Sequence, residues 1–141
     1  MGSRSSELEF VQEANLRYYQ AVAASSLPDL EDIWLPSEAC RCLLPGGPLL
    51  KGWNAIRHGW QELFARAREL NIQVDRVTVQ LEDDRAWLNC RERILLVAGR
   101  QGRESWWQAS NLFWKRQERW RLVLHHAAPW KEQSGAPRWL Q

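Results

Sequence analysis

The chain has 141 residues, 45% of them hydrophobic, which is the size and apolar content of one compact domain with a real core. Its formal charge of only +2, from 19 basic and 17 acidic residues mixed along the sequence, supplies no basic stripe for a phosphate backbone and argues against a nucleic-acid partner. No stretch approaches the roughly 18 apolar residues of a membrane span and the opening MGSRSSELEF lacks the apolar core of a signal peptide, so a cytoplasmic protein with no membrane partner is expected.

Residues 1–5 are expected to be disordered, with the domain running over 6–130. Ser6 followed by Glu9 matches a capping box, and Val11, Ala14, Tyr18, Ala21 and Val22 recur at helical spacing as far as Ala24. A first helix follows, with Tyr18 on its apolar stripe and Tyr19 about 100° round from it. A short second helix is predicted near Ser26: Pro28 suits a first turn, Asp29 the positive helix end, and Leu30, Ile33 and Trp34 form an apolar edge before Pro36 stops it. Residues 39–44 read as a short strand, and Pro45, Gly46, Gly47 and Pro48 force a loop. A third helix carries Trp53, Ile56, Trp60, Leu63, Phe64 and Ala67 on one face, with His58 off that stripe and solvated.

After Leu70 the period changes to two. Residues 72–81 and 85–97 are predicted as long strands joined by the acidic turn Glu82, Asp83 and Asp84. On the second of these, Ala86, Leu88, Cys90, Ile94 and Leu96 alternate with Trp87, Asn89, Arg91 and Arg93, which puts Glu92 on the apolar face. A carboxylate there must find a donor or take up a proton. Residues 105–127 then read as a β-hairpin around Gln117 and Glu118. With a two-residue loop, Phe113 lies across from Leu122, Asn111 from Leu124 and Ala109 from His126; neither loop residue is the glycine a tight primed turn prefers, and a three-residue loop would instead put Ser110 beside His126. Residues 131–141 have no period and are expected to form a flexible tail, although Trp130 and Trp139 could pack.

Three cysteines, Cys40, Cys42 and Cys90, make no even disulfide framework, and Cys40 and Cys42 lack the two-residue spacing usual in zinc sites. Buried, reduced thiols are expected, with no metal and no cofactor. Ten tryptophans are many for this length, so some must line a cavity or an interface.

Three stretches, LRYYQAVAASSLPDLEDIW, LLPGGPLLKGWNAIRHGW and QASNLFWKRQERWRLVLHHAA, together resemble the SnoaL-like branch of the nuclear transport factor 2-like superfamily, also called cystatin-like, over nearly the whole chain. The resemblance implies an α+β cone, a roll of curved antiparallel sheet with four long strands plus one short, enclosing three N-terminal helices. It also implies a homodimer, while the superfamily serves isomerases, dehydratases, polyketide cyclases, carriers and non-catalytic assembly domains alike. The ketosteroid isomerases are similar in pairing a tyrosine of the first helix with a base before the loop proline and an acid on the hairpin. By position these fall on Tyr18, Leu44 and Asn111, and leucine accepts no proton, so that constellation is incomplete. The Asp, Arg, Asp set of the limonene epoxide hydrolases has no convincing counterpart.

The candidate pocket therefore comprises Tyr18, Trp34, Trp60, Glu92, Asn111, Phe113 and His126, chosen over His125 as sharing a face with Leu122 and Leu124. Within it Glu92, His126 and Tyr18 form a candidate acid–base set, or alternatively a satisfied polar network that specifies the core. A protein binding a small apolar or aromatic molecule is the leading expectation. An enzyme of the cyclase, dehydratase or isomerase kind and a dimerisation module without ligand are the alternatives. The Trp106, Leu112 and Trp114 face, too apolar to meet water alone, is expected to form a homodimer through the outer side of the sheet.

Overall fold

A computed structural model describes residues 3–131. The first helix, α1 (Arg4–Ala23), is capped by Ser3, whose hydroxyl accepts from the Ser6 amide at 3.2 Å, so it begins three residues before the expected Ser6 cap and takes in Arg4 and Ser5. Helix α2 (Leu27–Ile33) starts as its sequence dictates, with the Ser26 hydroxyl accepting from the Asp29 amide and proline in the first turn. The chain then forms strands β1 (Arg41–Leu43) and β2 (Leu49–Lys51) on either side of the Pro–Gly–Gly–Pro loop, followed by α3 (Trp53–Arg66). Gly59 of α3 lets that helix press on β2, since a Cβ there would lie 2.6 Å from Leu50 Cδ1.

Four long strands complete the fold: β3 (Glu69–Glu82), β4 (Arg85–Ala98), β5 (Gln101–Arg116) and β6 (Arg119–Pro129). One sheet results, in the order β2-β1-β6-β5-β4-β3, with the helices packed on its concave side. The α+β cone is therefore the observed fold, with two corrections. A second short strand, β2, pairs with β1, and β1 runs parallel to β6, so the sheet is mixed. Both follow from the tight loop at Pro45 to Pro48, which folds Leu49 to Lys51 back along β1 and leaves β1 to close on the edge of β6. The tail beyond Lys131, Trp139 included, lies outside the described residues; Trp130 bonds through its amide to the Trp106 carbonyl at 3.0 Å.

The β5–β6 hairpin has the two-residue loop, with Arg116 paired to Arg119 and both Gln117 and Glu118 at positive φ, 51° and 64°. That is the primed-turn geometry without its usual Asn or Gly. Pairing stays in the expected register to Phe113 and Leu122, then shifts, because Leu112 meets Leu124 and Val123 is an extra residue on β6. From that bulge onward every β6 side chain changes face. Asn111 meets His125, and Ser110 meets His126, a pairing reached through a bulge and not through a longer loop.

Left-handed backbone costs an ordinary residue roughly 1–2 kcal/mol. Replacing Gln117→Asn together with Glu118→Gly is therefore expected to stabilise the chain by about 1 kcal/mol net of glycine's entropy. The 3.6 Å contact of Lys115 with the exposed Glu118 contributes little to offset this. Urea unfolding should show a higher midpoint at unchanged slope; an unchanged or lower midpoint would show that the turn carries no strain.

Candidate functional site

The inward faces of the sheet decide what the interior contains. On β4 these are Ala86, Leu88, Cys90, Glu92, Ile94 and Leu96; on β5, opposite them, Phe113, Asn111, Ala109, Trp107, Ser105 and Arg103. Toward Phe113 and Ala86 the space is filled by buried side chains, including Leu81 and Trp120. Toward Ile94 and Ser105 it is not. There a cavity of about 530 Å³ opens between Tyr18 and Val22 of α1, Trp60 and Leu63 of α3, the 44–48 loop and the ends of β3, β4 and β5. Glu92 and His125 line it while being only 1% and 2% exposed.

A directional hydrogen-bond network holds those two groups. The Asn111 Nδ2 amide donates to Asn15 Oδ1 and to the Tyr19 hydroxyl, both at 2.9 Å. With its lone pair so engaged, the Tyr19 hydroxyl donates to Glu92 Oε2 at 2.6 Å, with Cys90 Sγ 3.2 Å away. Asn111 Oδ1, the remaining acceptor, meets His125 Nδ1 at 2.6 Å, so the imidazole carries its proton on Nδ1. Nε2 is then a bare lone pair, 3.8 Å from Glu92 Oε2 and too far for a hydrogen bond. Glu92 Oε1 and the Trp60 Nε1–H, both buried, have no partner among the described residues.

Burial sets the charges. Removal from water pushes the Glu92 carboxyl up to about 7, against the Tyr19 hydrogen bond, which lowers it. Burial, helped by His126, pushes His125 down to about 3. The pair is therefore a neutral imidazole beside a carboxyl poised near neutrality, and the 3.8 Å approach is no ion pair. The three thiols are buried and free, and burial raises all of them. No group of three metal-ligating side chains occurs among the described residues.

Of the residues expected at the site, Tyr18, Trp60 and Glu92 line the cavity. Trp34 and Phe113 are fully buried core, and Asn111 sits behind the cavity wall as the hub of the network. His126 is corrected: it is exposed on the outer face, and His125 points inward, because the bulge at Val123 reverses the alternation. Tyr18 touches His125 only ring to ring, 5.2 Å between centroids, and the residue that holds Glu92 is Tyr19. Its signal was present, since Val11, Asn15, Tyr19 and Val22 form a second helical row beside the Tyr18 stripe, and all four are buried.

Glu92 keeps its proton to about pH 7 when folded but loses it near 4.5 when unfolded, so it erodes stability as pH rises between those values. His125 acts oppositely, stability being lost as pH falls from 6.5 toward about 3. The two oppose each other between about 4.5 and 6.5. Glu92→Gln should therefore gain on the parent chain as pH rises from about 5 to about 8, by up to about 3 kcal/mol in urea unfolding. A difference independent of pH would mean that Glu92 titrates normally.

The SnoaL-like domain matches residues 11–130. The F-box protein SKIP8 of Arabidopsis thaliana is 24% identical over 114 residues, which cover 81% of this chain and 47% of that protein, so the chain spans about half of that relative. A candidate dehydratase of the NTF2-like family from Streptomyces avermitilis superposes with a TM-score of 0.83 at 24% identity, covering 90% of this chain and 98% of its own. A nuclear transport factor 2-like protein from Salmonella enterica reaches 0.85 at 15% identity, covering 96% and 99%. A candidate aromatic ring hydroxylase from Novosphingobium aromaticivorans reaches 0.82 at 16% identity, covering 96% of each chain. Among the described residues no helix is long and apolar enough to cross a membrane. With the fold, the motifs and 120 matched residues in agreement, the chain belongs to the SnoaL-like domain family and has the fold seen in nuclear transport factor 2-like proteins.

Proposed function

We propose that the chain binds a small, largely apolar molecule in the cavity and holds one polar group of that molecule at Glu92. The observation that carries this is the unpartnered Oε1 of Glu92, buried in a cavity-lining residue whose other oxygen is already held by Tyr19. Buried carboxyl oxygens ordinarily have partners, and a ligand hydroxyl or N–H would supply one here. The cavity volume is in the range of drug-sized ligand sites, about 300–1,000 Å³.

A second reading is an enzyme of the dehydratase, cyclase or isomerase kind. It is favoured by a cavity-lining carboxyl poised near 7, which can give or take a proton at neutral pH. The structural likeness to a candidate dehydratase agrees with it but, at 24% identity, speaks for the fold alone.

A thermal-shift screen of apolar alcohols, phenols and ketones tests the binding reading. A ligand should raise Tm in the parent chain and not in Ile94→Trp, which fills the cavity, and Glu92→Gln should weaken it about tenfold. Failure of every compound, or stabilisation that survives Ile94→Trp, would refute it. If Glu92→Gln and His125→Ala bind normally yet end turnover of a ligand, the enzymatic reading holds.

We also propose a homodimer through the outer sheet face. Trp87, Leu112 and Leu124 form one cross-strand row over β4, β5 and β6, with Trp87 41% exposed and Trp106 37% exposed further along that face. Light scattering should give twice the chain mass, and Trp87→Arg should give the single mass with unchanged circular dichroism; a monomeric parent chain would exclude the dimer.

A further inference from the structure

The rim of the cavity differs from its floor. Arg66 in the last turn of α3, Arg103 on the inward face of β5 and Glu62 line it and are exposed, whereas Glu92 and His125 are sealed at the other end. Here Arg57, Arg91, Arg93, Arg116 and Arg119 all lie within ion-pair distance of a carboxylate, but Arg66 and Arg103 have no carboxylate partner among the described residues. Glu62, which lies 3.2 Å from His58 on the same helix, forms no ion pair with either arginine among the described residues. The rim therefore carries two unspent guanidinium groups against one carboxylate.

Their position relative to the floor follows from the ladder. Arg103 pairs with Leu96 and Trp107 with Glu92, so the arginine enters the cavity four residues along the same face from the carboxyl. At about 3.3 Å per residue that is roughly 13 Å of strand. Between them the walls are apolar: Leu63, Ile72, Ile94, Leu96 and the ring of Trp107, whose Nε1–H is already given to Ser105 Oγ at 2.8 Å.

Building on the ligand-binding reading above, we propose that the molecule this cavity takes is an amphipathic organic anion. Its carboxylate-like head meets Arg66 and Arg103 at the rim, its apolar or aromatic body lies along β4 and β5, and a hydroxyl or similar group at the far end reaches Glu92. Guanidinium forks suit a planar carboxylate or sulfonate, and a ligand with its acid at the floor would face the Glu92 carboxyl instead.

The probe is 4′-hydroxybiphenyl-4-carboxylic acid, which separates a phenol from a carboxylate by a rigid apolar body, compared with its methyl ester by titration calorimetry. The acid should bind at least about tenfold more tightly than the ester at low salt, with the ratio falling as salt screens the rim. In the Arg66→Met, Arg103→Met double variant the ratio should fall to about one while the ester's affinity stays as in the parent. If the ester binds as well as the acid, or the acid's advantage survives the double variant, this assignment is wrong and the apolar-ligand reading stands. If neither compound binds and none is found by the thermal-shift screen, both are wrong.

Discussion

Keeping one carboxyl group out of water is the constraint on which the interior of this protein depends. Glu92 is 1% exposed, and its burial is tolerable only because three other elements contribute to its surroundings. Tyr19 and Asn15 come from α1, Asn111 from β5 and His125 from β6, and a single chain of hydrogen bonds runs through all of them to β4. Its directions are not independent. Because Asn111 gives both amide hydrogens away, Tyr19 must donate to the carboxyl and His125 must donate from Nδ1, so one amide orientation fixes the acceptor state of the imidazole. The network therefore acts as a registry device as well as an electrostatic one: α1 can slide neither along the sheet nor around its own axis without leaving a buried amide or hydroxyl unpaired.

The same register divides the cone into a solid end and a hollow end. Where β4 and β5 carry Ala86, Leu88 and Phe113 inward, small and large side chains alternate and Leu30, Leu122 and Trp34 fill what remains, all fully buried. Two pairs past Glu92, the inward positions become Ile94 opposite Ser105, then Leu96 opposite Arg103, and the space there is the cavity, walled on the helix side by Tyr18, Val22, Trp60 and Leu63. The tryptophans are distributed accordingly: Trp34 and Trp120 close the solid end, Trp60 and Trp107 wall the hollow one, and Trp87 and Trp106 lie on the outer face, where Arg91 sits 4.5 Å over the Trp106 ring.

Much of this was legible in the chain itself. Alternation on β4 placed Glu92 inside, and the change of period at Leu70, the Ser26 cap and the Pro–Gly–Gly–Pro loop placed most elements within a few residues. What escaped were phase errors. A bulge costs a strand no change in composition, so nothing about His125 and His126 taken alone says which one faces in; only the unbroken run Leu122, Val123, Leu124 hinted that alternation fails there. Tyr19 escaped for the reciprocal reason. A helix lying in a concave sheet has neighbours over more than one stripe, so Tyr18 packs its ring against Trp34, Trp60 and His125 while Tyr19, about 100° away, still meets β4.

A polar network that served only to specify the core would be closed, with every donor and acceptor spent inside it. This one is spent at the Asn111 amide and the Tyr19 hydroxyl, while on the cavity side Glu92 Oε1 has no partner among the described residues. Leaving a buried carboxyl oxygen unpaired costs about 1–3 kcal/mol, and raising the carboxyl toward neutrality adds to that cost at higher pH. A molecule with a hydrogen to give, bound in the hollow end, would remove the first cost and offset part of the second. The asymmetry points to an interior arranged around something other than its own stability, with the Tyr19 hydroxyl fixing one carboxyl oxygen so that the other stays available.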